Sequence, residues 1–546
     1  MASFRHCFRK TVPKLNAFTI SRSKLIQILE VNVRILKRVA KAGRALSWVG
    51  VVGIFLMGST AVAQQREAAL LTDTEEPGTR RLTLEEVIKM ARELSPNYQQ
   101  AITQLENRTW QYQTYKSNYL PQLALYATLP SYTKDYEAIT DPEGRVNFVP
   151  VQSAIYSGHL ELKQNIGLTG GTIAIDSKLN RVDNFSQTNG HNFIYASNPV
   201  VVTLRQPIFN HNGLKWDRKT EPLRYEEAKR NFWEEMERIA IRATDLYFSQ
   251  LQSQIGYDIA QKNVANNDTL FKIAQTRFYD AKISVNELLQ LELSLLTSKQ
   301  SLEQAKLDIE TSTLRLKTYL GFTETYPIRL LPPDLIPQFE VSEEMALRQA
   351  RENRSRMIGI KREEIDAERN LDWAEASAGV NADLFLQYGL TQRAGSLGPV
   401  YQDPTDQQRV NLGFSVPLMD WGRNKSRIGT AKANLKLVKA NLEQQRVSFE
   451  QDVFLQVKRF KMLREQMKIA QQANGLAERR YLGAKDRYLG GKINLLELNQ
   501  AATERDSARR SYVSSLRNFW DAYYNLRLQT LYDFETNQPL TMPLPF

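Results

Sequence analysis

One stretch of this sequence occurs twice. Arg487-Tyr-Leu-Gly-Gly-Lys-Ile-Asn-Leu-Leu-Glu-Leu498 has a twin 210 positions earlier, where Arg277, Phe278, Lys282, Ile283, Glu287 and Leu288 answer to Arg487, Tyr488, Lys492, Ile493, Glu497 and Leu498 without a gap. Each copy sits inside a long helical run and reads as the tight turn at the end of a helical hairpin. That pattern constrains the chain to two copies of one unit.

The first unit covers 82–320. Thr83 with Glu86 three positions on is a capping box, which opens a helix expected to run to about Tyr119, bent or broken at Pro96. Leu123, Leu125, Ala127 and Leu129 then alternate with Gln122, Ala124, Tyr126 and Thr128, the period of a strand with one apolar face. Residues 130–195 are rich in Asn, Asp, Gly, Ser and Thr, and within them 158–166 and 172–180 read as strands around a turn at Gly170-Gly171. Val200, Val202, Leu204 and Ile208 line one face of the next strand, with Pro207 near its end. From Pro222 to Pro327 the chain has no proline and is rich in good helix formers. Leu288, Leu291, Leu295, Ser298, Leu302, Ala305, Ile309, Ser312, Leu316 and Tyr319 step by 3 and 4, a heptad seam that packs a helix along its length against another.

After a proline-rich linker, 321–340, the order restarts in a second unit, 341–531. Ser342-Glu-Glu-Met repeats Thr83-Leu-Glu-Glu in kind at an offset of 259, while Pro417 matches Pro207 at an offset of 210. The difference, 259 − 210 = 49, places 49 extra residues between the strands of the first unit. Leu384, Leu386, Tyr388 and Leu390 form one strand face, and Val410, Leu412, Phe414, Val416 and Leu418 another. A second seam runs Leu495, Leu498, Ala502, Arg505, Arg509, Tyr512, Leu516, Phe519, Tyr523 and Leu526. The tail, 532–546, is expected to lack structure at its end.

Charge excludes nucleic acid as the partner. The formal net charge is +12, but residues 1–63 hold 11 Lys/Arg and one acid, leaving 61 basic and 59 acidic residues in the remainder. A nearly neutral body cannot track phosphates. The basic segment 1–63 reads as a signal peptide: Lys41 and Arg44 precede Trp48–Met57, and Ala61-Val62-Ala63 is a small-x-small cleavage pattern, followed by a linker 64–81. The apolar run is shorter than the ~20 residues a transmembrane anchor needs. The single cysteine, Cys7, lies in that leader, and His159, His191 and His211 read as surface-loop histidines without metal-ligand spacing. No phosphate-binding loop, metal cluster or nucleophile–base pattern is found, so an enzyme and a cofactor are not expected.

The expected fold class is an α+β membrane protein with two internal structural repeats. Descending arms of about 55–65 residues would span roughly 80–100 Å, and ascending arms of about 40 residues would be completed by the opening helices stacked end to end. The result is a long antiparallel α-helical barrel with strands at one end. Alternating strands suit a sheet between lipid and water. Four strands of about 10 residues cannot close a barrel, and an open edge is not viable in lipid, so the β-barrel must be shared among protomers.

In this duplicated order the chain resembles the TolC-like outer-membrane efflux family over about 82–538. The local patterns that carry the resemblance are Gln206-Pro-Ile-Phe209 with Val416-Pro-Leu-Met-Asp-Trp-Gly422, and the two hairpin turns. It implies a homotrimer with a 12-stranded barrel, four strands per chain, in the outer membrane of a Gram-negative bacterium, above a periplasmic tunnel closed near the tips. It also implies a periplasmic adapter and an inner-membrane RND or ABC pump as partners, docking at the tips formed by Asp280, Ala281, Lys282, Gly490, Gly491 and Lys492. The family's gate acids fall on Glu497 and on Gln500, a departure that weakens the acidic constriction; Glu287 is the equivalent in the first unit. The strands of 158–180 depart from the four-strand pattern and extend the barrel strands or cap them. The function expected is a passive export duct for small molecules. The alternatives are a type I protein-secretion duct, a non-conducting periplasm-spanning structural protein, and a periplasmic adapter.

Overall fold

Thr83 starts the first helix by the capping box its sequence announces: its hydroxyl accepts from the Glu86 amide at 3.3 Å, and the Glu86 carboxylate accepts from the Thr83 amide at 2.8 Å. In the computed structural model, residues 80–544 are described apart from 187–189, 282, 323–326, 334–335 and 542. The leader 1–63, most of the linker 64–81 and Lys282 therefore lie outside the described residues. The opening helix is two helices, α1 (Leu84–Leu94) and α2 (Pro96–Ser117). Ser95 ends the first and caps the second, and Pro96 takes the first-turn position where its missing N–H is no loss.

Long helices dominate the rest of the chain. α3 (Gly213–Tyr279) and α4 (Val285–Leu320) form one hairpin of 67 and 36 residues. α7 (Arg423–Leu489) and α8 (Leu495–Thr530) form another of 67 and 36 residues, preceded by α5 (Glu343–Asn353) and α6 (Ser355–Ala378). A 67-residue helix is roughly 100 Å long. α3 starts upstream of Pro222, so that proline lies inside the helix, and Asn212 caps it. The packed neighbours run α4–α3–α8–α7 in the hairpin half and α2–α3–α6–α7 in the other half. Every seam residue of α4 from Leu288 to Tyr319, and every one of α8 from Leu498 to Leu526, is buried or half-buried.

The strands differ most from expectation. β2 (Gln122–Thr140), β3 (Val146–Ile166), β4 (Gly171–Ser186), β5 (Gly190–Ile208), β7 (Asn381–Ala394) and β8 (Thr405–Ser415) form one antiparallel sheet in that order. The chain thus contributes six strands of 11 to 21 residues rather than four of about 10. The segments expected at 158–166 and 172–180 are parts of β3 and β4. They are neither a cap nor an extension but sit inside the sheet, because each finds an antiparallel partner on both sides. His159 and His191 accordingly lie in strands, not loops. His159 Nε2 is 2.8 Å from Asp176 Oδ1, and His211, in the loop before α3, is 2.7 Å from Asp372.

The linkers are also structured in part. β1 (Arg80–Leu82) pairs in parallel with β6 (Ile328–Leu330), and β9 (Tyr532–Asp533) pairs with β10 (Gln538–Pro539) in the tail, where Leu544 packs on the core. These segments close over the large core around Phe248, Phe460 and Phe519. Two acids are buried beside it. Glu237 holds Arg92 at 2.5 Å and Arg527 at 3.2 Å, and Arg527 reaches Asp533 at 2.8 Å. Glu234 accepts from Arg354 and from the Ser355 amide, both at 2.9 Å, satisfying the start of α6 where no side chain caps it.

Candidate functional site

Both hairpins end in the same turn. Asp280 and Gly490 follow the helices with φ near −79° and −78°, and the next residues, Ala281 and Gly491, take left-handed φ of 51° and 70°. In the second turn the amides of Gly490, Gly491 and Lys492 donate to the carbonyls of Asp486, Tyr488 and Arg487 at 2.9–3.1 Å, which satisfies the end of α7. Ser284 and Asn494 then cap α4 and α8 by accepting from the amides of Glu287 (3.3 Å) and Glu497 (2.9 Å). The repeated glutamates thus occupy the third position of a helix, where the positive end of the dipole favours a carboxylate.

The repeated apolar residues meet across the two tips. Ala274, Leu291, Tyr481, Tyr488 and Leu498 are buried together, with Ile283, Leu288 and Ile493 packed against them. The Arg277 guanidinium lies 6.0 Å from the Tyr488 ring centre. Burial raises the Tyr488 phenol above its ordinary pKa; Arg277 opposes this and the nearby Glu287 adds to it.

Glu497 and Gln500 are exposed and line one groove of about 330 Å³ between α7 and α8, together with Arg479, Arg480 and Arg487. Glu287 is half-buried and does not line it. Gln500 donates to Glu504 at 3.0 Å, and Glu504 is ion-paired with Arg480. Three arginines thus line this groove with a single acidic residue, Glu497, and one of them, Arg480, is engaged by Glu504. Asp280, Ala281, Gly490, Gly491 and Lys492 are all exposed at the turns.

Further along the helices from the tips lies a polar node that pattern reading missed. Arg505 and Asp506 of α8 are both 8% exposed. Arg505 donates to Asp506 Oδ1 at 2.9 and 2.6 Å, and its guanidinium lies 3.9 Å from the Tyr481 ring centre on α7. From α3, Asn263 donates to Asp506 at 2.9 Å and Asn266 to the Tyr481 hydroxyl at 3.3 Å. Burial works against the Arg505 charge, but the Asp506 carboxylate more than offsets it and holds the guanidinium above its usual pKa. The signal was present: Arg505 and Arg509 interrupt an otherwise apolar seam.

At the other end the sheet has two unlike faces. On one, Leu123 faces Leu162, then Ile175, Val202 and Tyr388 across successive strands; a neighbouring row runs Ile173, Leu204, Leu386 and Val410. These side chains are exposed or half-exposed, Leu125 and Val410 by 73% and 74%. Beyond this aliphatic band, away from the helices, the same face carries Tyr132, Tyr136, Tyr156, Phe193 and Tyr195. The opposite face is polar, with a hollow of about 420 Å³ lined by His159, Lys163, Asp176, Lys178, Arg205 and Arg409 among others. Among the described residues no helix is long and apolar enough to cross a membrane.

The outer membrane efflux protein family matches this sequence over residues 87–322 and 362–529. The chain belongs to that family. An apolar band bordered by aromatic residues on one face with a polar opposite face is the general pattern of outer-membrane β-barrels. A comparison with curated proteins by sequence finds no match. Among solved structures, the CmeC outer membrane channel of Campylobacter jejuni is similar at 14% identity and TM-score 0.58, covering 84% of this chain and 87% of that one. The open-state MtrE outer membrane channel of Neisseria gonorrhoeae is similar at 16% identity and TM-score 0.54, covering 82% and 88%. A membrane protein from Pseudomonas aeruginosa is similar at 13% identity and TM-score 0.58, covering 84% and 92%. At these identities the likeness is one of fold.

Proposed function

We propose that this efflux family member is the passive outer-membrane duct of a tripartite export system for small molecules. In this reading the chain is two structural repeats, 82–320 and 341–531, behind a signal peptide ending at residue 63. Three copies form a ring whose sheet sits in outer-membrane lipid and whose helices make a periplasmic tunnel. A periplasmic adapter and an RND or ABC pump engage the tips at Asp280–Lys282 and Gly490–Lys492. Glu497, Gln500 and Glu287 form the gate, its charge offset by the arginines beside Glu497.

The observation that carries the reading is that this chain is unfinished on both sides. Among the described residues its sheet ends in β2 and β8, each paired on one side only, with an exposed apolar face between them. Its end helices carry exposed apolar seams, Leu289, Leu293, Leu296, Leu307 and Leu314 on α4, and Leu455, Met462, Ile469 and Leu476 on α7. The α7 residues step by 7, the spacing that packs against a partner helix. An exposed surface this apolar marks an interaction or a membrane. A second copy covers both seams at once, because α2 precedes β2 and α4 lies on that side, while α7 follows β8.

The test is single-channel recording with the purified protein in planar bilayers, alongside its mass in detergent. A trimer with ion conductance is expected. A monomer, or a trimer that never conducts, would overturn the duct.

A further inference from the structure

We infer that three copies of this chain close an eighteen-stranded barrel rather than a twelve-stranded one, with β8 of each copy hydrogen-bonded to β2 of the next. This rests on the ring proposed above and concerns what that ring is made of.

The strand count comes from the sheet. All six strands pair in one continuous antiparallel order, so three copies supply eighteen. The additional pair, β3 and β4, falls within residues 141–189, a stretch of 49 that equals the excess of the first half over the second. These two strands are not an appendage. Lys163 of β3 is paired with Gln122, the first residue of β2, and Ile166 with Gly171, so both reach the helical end of the sheet. Their side chains also obey the two-faced pattern: Leu160, Leu162, Ile173 and Ile175 continue the apolar band, while Lys163 and Asp176 continue the polar face. A hairpin standing clear of the membrane would have no reason to keep a band of leucine and isoleucine in register with its neighbours.

Closure is sterically consistent. With an even number of alternating strands, β2 runs away from the helices and β8 toward them, so β8 of one copy meets β2 of the next antiparallel, which is the pairing an outer-membrane barrel uses. The circumference fits as well. Each copy contributes a row of four packed helices to the tunnel, hence twelve, or about 110–120 Å around at a spacing of roughly 9–10 Å. Eighteen strands spaced about 4.8 Å apart and tilted about 40° give roughly 110 Å. Twelve at the same tilt give only about 75 Å. The eighteen-stranded ring therefore continues the tunnel without a constriction, and leaves the hairpin tips as the narrow point of the duct.

Electron cryo-microscopy of the full chain in lipid nanodiscs decides it. Eighteen strands at the membrane midplane are expected. Twelve strands, with β3 and β4 outside the lipid or folded over the mouth, would overturn the inference and leave the duct standing. A particle with no ring in the lipid would overturn the duct as well. A second measurement works without an image. Cys7 is the sole cysteine, so the pair Ala124→Cys and Glu161→Cys, cross-strand partners on β2 and β3, reports one contact. An intrachain disulfide in outer-membrane fractions is expected. A free thiol pair in a trimer that still conducts would show that β3 does not pair with β2 at membrane depth.

Discussion

Around Phe248, Phe460 and Phe519 the long helices bury a broad set of aromatic and aliphatic side chains, and α1, β1, β6 and the tail segment close over them. At the tips the buried apolar cluster is small, Ala274, Leu291, Tyr481, Tyr488 and Leu498, and the helices are joined beside it by the directional contacts of Asn263, Tyr481, Arg505 and Asp506. A large apolar core resists local opening because every part of it shares the loss. A few apolar residues and one polar node give way together at a small area of exposed surface, so the tips are the end of the helical body suited to opening.

The sharpest way to break this comparison is to damage the middle. Glu237 is 1% exposed and depends on Arg92 and Arg527. Arg527→Ala leaves that carboxylate short of a partner and is expected to destabilise the chain by about 3–5 kcal/mol, read as one cooperative fall in Tm. A variant that melts like the wild type would mean the buried pair contributes nothing net.

Arg505→Leu attacks the tips. Removing one member of a buried pair costs about 3 kcal/mol, here against local opening and not against the global melt. The expected outcome is unchanged Tm with several-fold higher single-channel conductance or open time. If Tm instead drops as far as in Arg527→Ala with conductance unaltered, the node belongs to the core and not to the proposed gate.

Much of this contrast was legible in the sequence. The seams ending at Tyr319 and Leu526, the Thr83–Glu86 box and the duplicated turn come from local spacing, and spacing survives folding. Arg505 was visible only as an interruption of a seam, since its partners Asn263 and Tyr481 lie 242 and 24 positions away. Glu234 and Glu237 were invisible for the same reason: nothing near them in sequence announces Arg354 or Arg527. The extent of β3 and β4 was hidden by composition. Arg181 and Asp183 stand on the otherwise apolar face, where the Arg181 guanidinium lies 4.8 Å from the Phe193 ring centre, and bulges at Thr128/Ser131 and Asp176/Lys178 shift the alternation. Alternation cannot be read through such shifts.

A smaller effect sits near the middle on α8. Burial raises the pKa of Asp521, Asp245 adds to this, and Arg459 and Arg517 oppose it. A carboxyl group whose folded pKa is raised binds its proton more tightly when folded. Its favourable contribution is therefore complete below the unfolded pKa and is lost as pH rises through the folded value. Asp521→Asn is expected to raise Tm by a few degrees at neutral pH, with the gain shrinking as pH falls through the raised folded pKa and gone below about pH 4. A gain that grows on acidification would have the opposite sign and remove burial as the cause.

The smallest effect separates the two turns. Ala281 holds at φ 51° the conformation that Gly491 holds at 70°. The left-handed region costs a residue with a Cβ roughly 1–2 kcal/mol, while glycine loses up to about 1 kcal/mol of chain entropy on folding. Gly491→Ala should therefore destabilise its turn by about 1 kcal/mol, and Ala281→Gly should stabilise the other by no more than about 1 kcal/mol. Nothing else competes for the space at Gly491, where an added Cβ meets no atom within 4 Å, so the effect is one of backbone strain alone. Hydrogen exchange at the tip amides reads it where global melting cannot. Slower exchange at the first turn in Ala281→Gly, and faster exchange at the second in Gly491→Ala, would show that the turns differ by this one residue. Equal exchange in both variants would place the control of tip opening in the Arg505 node and not in the turns.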